Sequence, residues 1–357
     1  MTKIEIKNLS ILFGPEKMRA KRMLVAGKSK QDILKETGCT VAVRNANLKI
    51  EEGELFVIMG LSGSGKSTLL RCINRLNEPS LGEVFINGKN ITTSSDKELL
   101  DIRRKEMAMV FQHFGLLPHR TVLSNIAFGL ELQGVPKKER DQKAVESVAL
   151  VGLKGYENQK VSELSGGMQQ RVGLARAIAN DPEVLLMDEA FSALDPLIRV
   201  QMQDELLKLQ EKMQKTIIFI THDLGVVANM ADRIGVMYAG KLVETGTADD
   251  IFYSPAHPYT WALLSSMPDL DTNERLEAIP GTPPNMIYPP KGDAFAARNK
   301  YAMKIDFERQ PPMFKVSDTH YAATWLLHPD APKVEPPKII LDRIKRMQEK
   351  RGTQNAE

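Results

Sequence analysis

Cysteine is nearly absent from this chain: Cys39 and Cys72 are the two thiols among 357 residues. Two distant cysteines cannot build a disulfide framework or a cysteine metal cluster, and such scarcity is typical of a reducing compartment. Long apolar runs are also missing, because none approaches the roughly 18–20 residues of a membrane-spanning helix. The N-terminal stretch MTKIEIKNLS lacks the apolar core of a signal peptide. We therefore expect a protein that works at a membrane only through a partner.

Neither sign of charge dominates the sequence. Lysine and arginine number 48 against 45 aspartates and glutamates, which gives a formal net charge of +3. This bias is too weak to indicate binding to nucleic acid, and we expect no such partner. Hydrophobic residues make up 42% and charged residues 26%. That ordinary balance supports a sizeable core, with room for two domains or for one large domain and an appendage.

Strand patterns alternate with helix patterns along the first 250 residues. Residues 1–13 alternate in polarity and predict an edge strand, and the polar stretch 15–40 predicts an insertion with a helix near KSKQDILKETG. Helices are predicted over most of 121–180 and over 194–213. Four apolar stretches predict further strands: ELFVIMG (54–60), MAMVFQ (107–112), EVLLMDEA (183–190) and TIIFITH (216–222). This alternation predicts an α/β fold with a mostly parallel sheet.

Composition changes near residue 253, where prolines become frequent. We predict a main domain over residues 1–252, with a helical subdomain at about 113–180. A smaller irregular domain and a charged tail, helical from about 337, then occupy residues 253–357. No internal repeat is visible in the sequence.

The stretch GLSGSGKST fits the phosphate-loop pattern G-x-x-x-x-G-K-[ST]. A predicted strand precedes it and a predicted helix follows from Ser67, which is the context that a phosphate loop requires. Lys66 would place its cation on the β- and γ-phosphates, and the Ser67 hydroxyl would ligate Mg²⁺. The predicted nucleotide-binding residues of the loop are Gly60, Leu61, Ser62, Gly63, Ser64, Gly65, Lys66, Ser67 and Thr68.

Polar side chains at the ends of other predicted strands complete a hydrolytic site. Asp188 and Glu189 end the apolar stretch VLLMDE, so Asp188 is expected to hold Mg²⁺ and Glu189 to polarise the attacking water. Gln112 ends the strand before it and is a candidate for contact with Mg²⁺ or with that water. His222 ends the strand FITH and is a candidate donor to the γ-phosphate.

A second glycine turn, LSGGMQQR, occurs at 164–171 ahead of a predicted helix. Small residues at a helix N-terminus form an anion site, yet the first loop already accounts for the phosphates of its own chain. The turn is explained if it faces the nucleotide of another subunit, in a head-to-tail dimer with two composite sites. Four residues of the turn are the expected contacts across that dimer: Ser165, Gly166, Gly167 and Gln169.

Along the chain, the motifs follow in the order phosphate loop, Gln112, second glycine turn, VLLMDEA, SALD and His222. This set resembles that of ABC-type ATPases over about residues 1–250. The resemblance implies ATP and Mg²⁺ as ligands, a homodimer or a heterodimer with a second ABC ATPase, and contacts of Asp195 (in SALD) across the dimer. It also implies an aromatic residue that stacks on adenine, for which Phe13 is the candidate, with ordinary core packing as the alternative. Expected partners are integral membrane permease subunits and, indirectly, an extracellular substrate-binding protein. The protein would then lie at the cytoplasmic face of the cell membrane.

The resemblance divides near residue 222. Residues 1–221 resemble the ATPases of glycine betaine and proline importers, through the insertion AKRMLVAGKSKQDILKETG and the segment FQHFGLLPHRTVLSNIAFGLELQGV. Residues 223–357 resemble oligopeptide and dipeptide importer ATPases, through HPYTWALLSSMPDLD and IPGTPPN. We expect import of a quaternary amine, with an oligopeptide importer as the alternative. A soluble ABC ATPase is the remaining alternative, although this sequence lacks the second cassette or the long coiled coil that such proteins usually have.

Each half also departs from the family it resembles. The regulatory modules that often end betaine ATPases have no counterpart here. Asp293, Asn299 and Asp306 stand where many oligopeptide ATPases have cysteines, so no iron–sulfur cluster is expected. On the betaine-like side, the surface after Gln112 is expected to bind the permease, or else to pack within its own subdomain. Its candidate contacts are Phe114, Leu116, Leu117 and His119.

Overall fold

The computed structural model describes residues 1–112, 115–191, 194, 196–221, 224–266, 279–282, 284, 290–342 and 344–345. Its strands are β1 (Thr2–Phe13), β2 (Thr40–Glu51), β3 (Leu55–Met59), β4 (Leu81–Ile86), β5 (Lys89–Asn90), β6 (Met107–Val110), β7 (Val184–Asp188), β8 (Thr216–Thr221), β9 (Arg233–Tyr238), β10 (Lys241–Thr247), β11 (Phe314–Lys315) and β12 (Tyr321–Ala322).

The α-helices fill the spaces between these strands. They are α1 (Lys17–Val25), α2 (Lys30–Thr37), α3 (Lys66–Ile73), α4 (Asp96–Lys105), α5 (Val122–Ile126), α6 (Phe128–Leu132), α7 (Lys137–Leu150), α8 (Gly166–Ala179), α9 (Pro196–Met213), α10 (Leu224–Met230), α11 (Ala248–Tyr253), α12 (Pro258–Ser265) and α13 (Lys304–Glu308). Within the described ranges, every helix is either too short or too polar to cross a bilayer.

The main sheet has the strand order β11-β12-β10-β9-β3-β8-β7-β6. The five strands from β9 to β6 are parallel, as the sequence predicts. Every residue of β3, β7 and β8 is buried, because helices and the second sheet cover both faces. Since parallel strands end at the same edge, the residues that follow β3, β6, β7 and β8 share one edge of the sheet.

A smaller antiparallel sheet has the order β2-β1-β4-β5. Here the prediction of an edge strand at residues 1–13 is wrong, because β1 pairs with β2 on one side and with β4 on the other. Alternation reports that one face of a strand is buried, as Ile4 and Ile6 are, and carries no information on how many strands pair with it.

The predicted insertion between β1 and β2 is confirmed as the helices α1 and α2. Ser29 and Asp32 form a capping box at the start of α2, and Gly38 ends that helix in the left-handed conformation. The buried Lys30 Nζ donates a hydrogen bond to the Ala239 carbonyl at 2.8 Å. Burial, with the nearby cations Lys241 and Arg44, lowers the pKa of Lys30 to about 7. One lysine therefore anchors the insertion to the turn between β9 and β10.

The C-terminal segment is attached to β10 by a buried carboxylate. Glu244 Oε1 accepts the Ala256 N–H at 2.6 Å and lies 2.7 Å from His320 Nε2. Its Oε2 accepts the His257 N–H at 3.1 Å and the Thr260 hydroxyl. Segments on either side of residues 267–278 thus meet at one side chain. The segment also contributes two strands to the main sheet, and the domain boundary at 252 stays a prediction.

Replacing Glu244 by alanine should lower the free energy of unfolding by about 3 kcal/mol or more, because the loss leaves several buried donors without a partner. Urea unfolding would measure this through the fluorescence of Trp261 and Trp325, the two tryptophans of the chain. The control is Glu335→Ala at an exposed position, which should shift the midpoint little. Equal midpoints for the two variants would show that Glu244 does not hold the segment.

Asp293, Asn299 and Asp306, which the sequence analysis compared with cysteines, each accept a hydrogen bond from a backbone N–H. Asp293 Oδ1 accepts the Phe295 N–H at 3.2 Å, and Asn299 Oδ1 accepts the Tyr301 N–H at 2.9 Å. Asp306 Oδ2 accepts the Met303 N–H at 2.7 Å. These contacts are short-range side-chain caps of turns.

Candidate nucleotide-binding site

The phosphate loop connects β3 to α3, as predicted, and two of its glycines are sterically required. Gly60 has φ +145°, and a Cβ there would lie 2.1 Å from the Met237 carbonyl oxygen. Gly65 has φ +97° and is the residue before α3. Both backbone conformations are costly for residues with a side chain. The loop therefore packs tightly on the end of β9.

Lys66 extends back across the loop. Its Nζ donates hydrogen bonds to the carbonyl oxygens of Gly60 at 2.9 Å and Leu61 at 3.1 Å. The side chain is buried, and burial lowers the pKa of Lys66 to about 8, against the opposing effect of Glu189 and Asp188. The ammonium is therefore poised beneath the loop, with carbonyl partners that an anion could replace.

Asp188, at the end of β7, lies behind the loop. Its Oδ1 accepts the Ser67 hydroxyl at 2.6 Å, and its Oδ2 accepts Arg71 Nη2 at 3.0 Å. The sequence analysis missed Arg71. The signal was present, however, because Arg71 follows Ser67 by four residues and so shares its face of α3. Two of the three residues predicted to hold a metal ion, Ser67 and Asp188, are thus in direct contact.

Glu189 follows Asp188 with an unusual backbone, φ +49°. A non-glycine residue in this region is strained, and such strain is concentrated at functional sites. Its N–H donates to the Ile220 carbonyl at 3.2 Å, and Gln112 Nε2 donates to its Oε2 at 3.2 Å. Gln112 lies two residues beyond the end of β6, which stops at Val110 rather than at Gln112 as predicted.

A cleft of about 340 Å³ opens over the loop. Gln112 and Glu189 line it together with phosphate-loop residues. Thr40 and Ala42 of β2 also line it, and the sequence analysis did not identify them. Phe13 pairs with Thr40 across the β1–β2 ladder and is 44% exposed. The candidate aromatic residue therefore lies beside the cleft wall, with much of its ring accessible.

The second glycine turn lies at the start of α8. Ser165 precedes the helix, and its Oγ accepts the Met168 N–H at 3.4 Å. Ser165 and Gly166 are exposed. The side-chain amide of Gln169 donates a hydrogen bond from Nε2 to the Leu164 carbonyl at 3.1 Å. Among the described residues that line the cleft of this chain, none belongs to the turn. The chain therefore brings the phosphate loop, Gln112 and Glu189 together at one cleft, whereas the second glycine turn lies apart from that cleft.

Three predicted residues, Asp195, His222 and Phe114, lie outside the described residues.

One permease-side candidate, Leu117, is held by a buried asparagine. The Leu117 N–H donates to Asn125 Oδ1 at 2.8 Å, and Asn125 Nδ2 donates to the Leu117 carbonyl at 3.0 Å. Leu116 packs against the core, whereas His119 is exposed. Asn125 thus fixes the backbone of the segment while His119 stays accessible.

Comparison with known proteins identifies the family. Residues 43–192 match the family described as "ABC transporter". The oligopeptide transport ATP-binding protein OppD of Bacillus subtilis is 50% identical over 319 residues, which cover 86% of this chain and 89% of that protein. This chain belongs to the ATP-binding proteins of ABC transporters. The recognition and the expected class of enzyme, a transport-coupled ATPase, are confirmed at the level of the family.

Relatives of both predicted kinds are found. The glycine betaine/carnitine transport ATP-binding protein GbuA of Listeria monocytogenes is 58% identical over 72% of this chain, and the match spans 65% of GbuA. Residues 243–305 match the family described as "Oligopeptide/dipeptide transporter, C-terminal region". The two-part resemblance is therefore confirmed.

Solved structures of ABC cassettes share this fold. A dimeric structure of the ATP-binding cassette MJ0796 bound to ADP and Pi superposes with a TM-score of 0.59 at 34% identity, covering 69% of this chain and 98% of the other. The cbiO1 structure from Clostridium perfringens gives the same TM-score at 25% identity. The predicted fold class, an ABC-type P-loop domain, is confirmed.

Proposed function

We propose that this chain is the ATP-hydrolysing subunit of an importer for a small solute of the quaternary-amine type, acting as a dimer at the cytoplasmic face of a cell membrane. The observation that carries the catalytic part is the convergence of Lys66, Ser67 and Glu189 on one cleft, with Asp188 behind Ser67. Family membership supports ATP as the nucleotide.

Binding of ATP would exchange partners within the loop. The Lys66 ammonium would leave the loop carbonyls for the β- and γ-phosphate oxygens, where a charge-assisted hydrogen bond is stronger. The hydroxyl of Ser67, the carboxylate of Asp188 and the amide oxygen of Gln112 are hard oxygen donors of the kind that Mg²⁺ prefers. A magnesium ion held by them would balance charge on the phosphates.

Hydrolysis would rely on Glu189. Its carboxylate would accept a proton from water as the water oxygen attacks the γ-phosphorus and the bond to the bridging oxygen of ADP breaks. Gln112 contacts this carboxylate and would orient it. Donation from His222 to the γ-phosphate stays a prediction.

The second glycine turn would complete the site of a partner subunit. Ser165 and the amides of Gly166 and Gly167 are at the start of a helix, where backbone N–H groups and the helix dipole favour an anion. Their exposure and their separation from the cleft of this chain support a γ-phosphate contact across a homodimer or a heterodimer. Asp195 would contact the partner at the same interface. The dimeric MJ0796 structure supports such an assembly for this family.

Phe13 would receive the adenine. Its ring is accessible, and its ladder partner Thr40 lines the cleft that would hold the phosphates. An aromatic ring can bind the adenine by stacking on its face, and this contact requires no hydrogen bond to the base. Packing of Phe13 against its own domain is the alternative role.

The transported solute is assigned from the surface that would bind the permease. That surface follows Gln112 and contains the exposed His119 on a backbone fixed by Asn125. It belongs to the part of the chain that resembles betaine importers, of which GbuA is 58% identical. A peptide importer is the second candidate, supported by the match at 243–305 and by the 89% coverage of OppD.

Co-expression with each kind of permease tests this assignment. A quaternary-amine permease in membranes should bind the ATPase and stimulate its hydrolysis several-fold, whereas a peptide permease should not. His119→Glu should reduce the stimulated rate and leave the basal rate unchanged, because the residue is exposed and outside the cleft. Pull-down and phosphate-release assays measure both effects.

The matched control is Lys304→Glu, which also adds negative charge at an exposed position but in the C-terminal segment. It should leave stimulation intact. Stimulation by the peptide permease alone, reduced by Lys304→Glu and not by His119→Glu, would assign partner choice to the C-terminal segment instead.

A further inference from the structure

One peptide unit of the phosphate loop is held at both ends. The Gly60 carbonyl accepts Lys66 Nζ at 2.9 Å, and the N–H of the same peptide, that of Leu61, donates to the hydroxyl of Tyr259 at 2.9 Å. Because a peptide is planar, two hydrogen bonds at opposite edges fix its orientation. The loop therefore takes part of its geometry from a side chain 198 residues away.

Tyr259 is itself rigidly placed. It is fully buried in α12, and its N–H donates to His257 Nδ1 at 2.9 Å. Its ring contacts those of Tyr238 and Phe295, with centroids 4.5 Å and 5.3 Å away. Arg298 donates to the Tyr238 hydroxyl at 3.1 Å and so extends this cluster into the C-terminal segment. The phenol has little freedom to follow the loop if the loop moves.

A buried phenol needs a hydrogen-bond partner in any fold, so the contact alone would be unremarkable. The contact is informative because its partner is a backbone amide of the phosphate loop. The Leu61 N–H lies in a loop whose other amides must turn inward to bind phosphate, and Tyr259 holds this one outward. Gly60, on the other side of the same peptide, lies so close to the Met237 carbonyl that an added Cβ would be 2.1 Å from its oxygen.

We propose that Tyr259 is a positioning residue for the phosphate loop, so that nucleotide affinity depends on the C-terminal segment that carries it. The inference rests on the proposed binding of ATP by this loop. Tyr259 is not among the residues that line the cleft, and its hydroxyl reaches the loop through the Leu61 N–H. Its hydroxyl keeps the Gly60–Leu61 peptide in the orientation that leaves the Lys66 ammonium at the base of the cleft.

Removal of the hydroxyl leaves the Leu61 N–H, in a half-buried residue, without this partner, and the peptide then rotates to find another. The binding-competent loop becomes a smaller fraction of the population, and the apparent dissociation constant rises in proportion. Once ATP is bound, its phosphates hold the loop amides, so the chemical step is affected less than binding.

The test is Tyr259→Phe in the full chain, with Tyr301→Phe as the matched control. Tyr301 loses a hydroxyl in the same segment, where its ring packs on Trp261 at 5.4 Å and not on the loop. In Tyr259→Phe, the Kd and KM for MgATP should rise about tenfold while kcat at saturating MgATP stays within about twofold. Tyr301→Phe should match the wild type in all three.

Amide hydrogen exchange adds a measurement that needs no variant. The Leu61 amide should be protected in nucleotide-free wild-type protein, and Tyr259→Phe should lose that protection while the core strands keep theirs. A Leu61 amide that exchanges as fast as an exposed loop in the wild type, or an unchanged Kd in a folded Tyr259→Phe protein, overturns the proposal.

The outcome also separates this inference from the proposed function. If the wild type binds MgATP and Lys66→Ala abolishes binding, ATP recognition stands, and an unchanged Tyr259→Phe then contradicts only the positioning role. If the wild type fails to bind MgATP, the proposed function fails first and the inference with it.

Discussion

Glu189→Gln should lower the rate of ATP hydrolysis at least about a hundredfold while MgATP still binds. Glutamine keeps the size of the side chain but cannot accept a proton from the attacking water. The strained backbone at Glu189 and its contact with Gln112 hold the carboxylate at the cleft, so a neighbouring group cannot easily replace it. Because hydrolysis would separate the subunits, the variant should accumulate as an ATP-bound dimer, visible by size-exclusion chromatography with MgATP.

The matched control comes from the other end of the same strand. Glu183 lies just before β7 and pairs with Lys3 at 2.5 Å, away from the cleft. Glu183→Gln should retain the wild-type kcat and elute without an ATP-dependent dimer. A Glu189→Gln protein that hydrolyses ATP at the wild-type rate would remove Glu189 from the mechanism.

Activity should return when two inactive variants are mixed. Lys66→Ala removes the cation beneath the phosphates, and Ser165→Arg fills the exposed second turn with a bulky side chain. If each site joins the loop of one subunit to the turn of the other, a mixed dimer has one site with both defects and one with neither. Random exchange at equal amounts should restore about a quarter of the wild-type rate, provided that the sites act independently.

The control mixes Lys66→Ala with a chain that carries both Lys66→Ala and Ser165→Arg. Its mixed dimers carry both kinds of substitution and have no intact site, because Lys66→Ala is present in each chain, so they should stay inactive. Exchange itself is followed with differently tagged chains. Demonstrated exchange without recovery in the first mixture would count against a site shared between two chains.

The parts of the site that the sequence identifies are those whose chemistry requires neighbouring residues. Two such parts consist of consecutive residues: the loop from Gly60 to Thr68, and the pair Asp188 and Glu189. Because the chemistry fixes the residue type at each of these neighbouring positions, the motif can be recognised in the sequence. The alternating strands and helices around them predict that these motifs meet at one sheet edge. The structure shows Ser67 and Asp188 in direct contact there.

The residues that sequence reasoning missed depend on the packing of distant segments. Tyr259 reaches Leu61 across 198 positions, and Glu244 meets His320 across 76. Neither contact is marked in the sequence by a periodic pattern or a motif, because both contacts depend on how α12 and β12 pack on β10. The error at β1 has a related cause, since a strand's neighbours follow from topology rather than from its own pattern.

Most hydrogen bonds across the junction near residue 222 use a backbone group on at least one side. Lys30 binds the Ala239 carbonyl, the Tyr259 hydroxyl binds the Leu61 amide, and the Gly240 N–H donates to the Ser64 carbonyl at 2.8 Å. Backbone groups are the same whatever the side chain, so such contacts survive when one half is exchanged for that of a homologue. Recombination between two importer lineages would then keep these hydrogen bonds without a matched change, whereas the shared core and the Arg233–Glu54 ion pair would need compatible side chains on both sides.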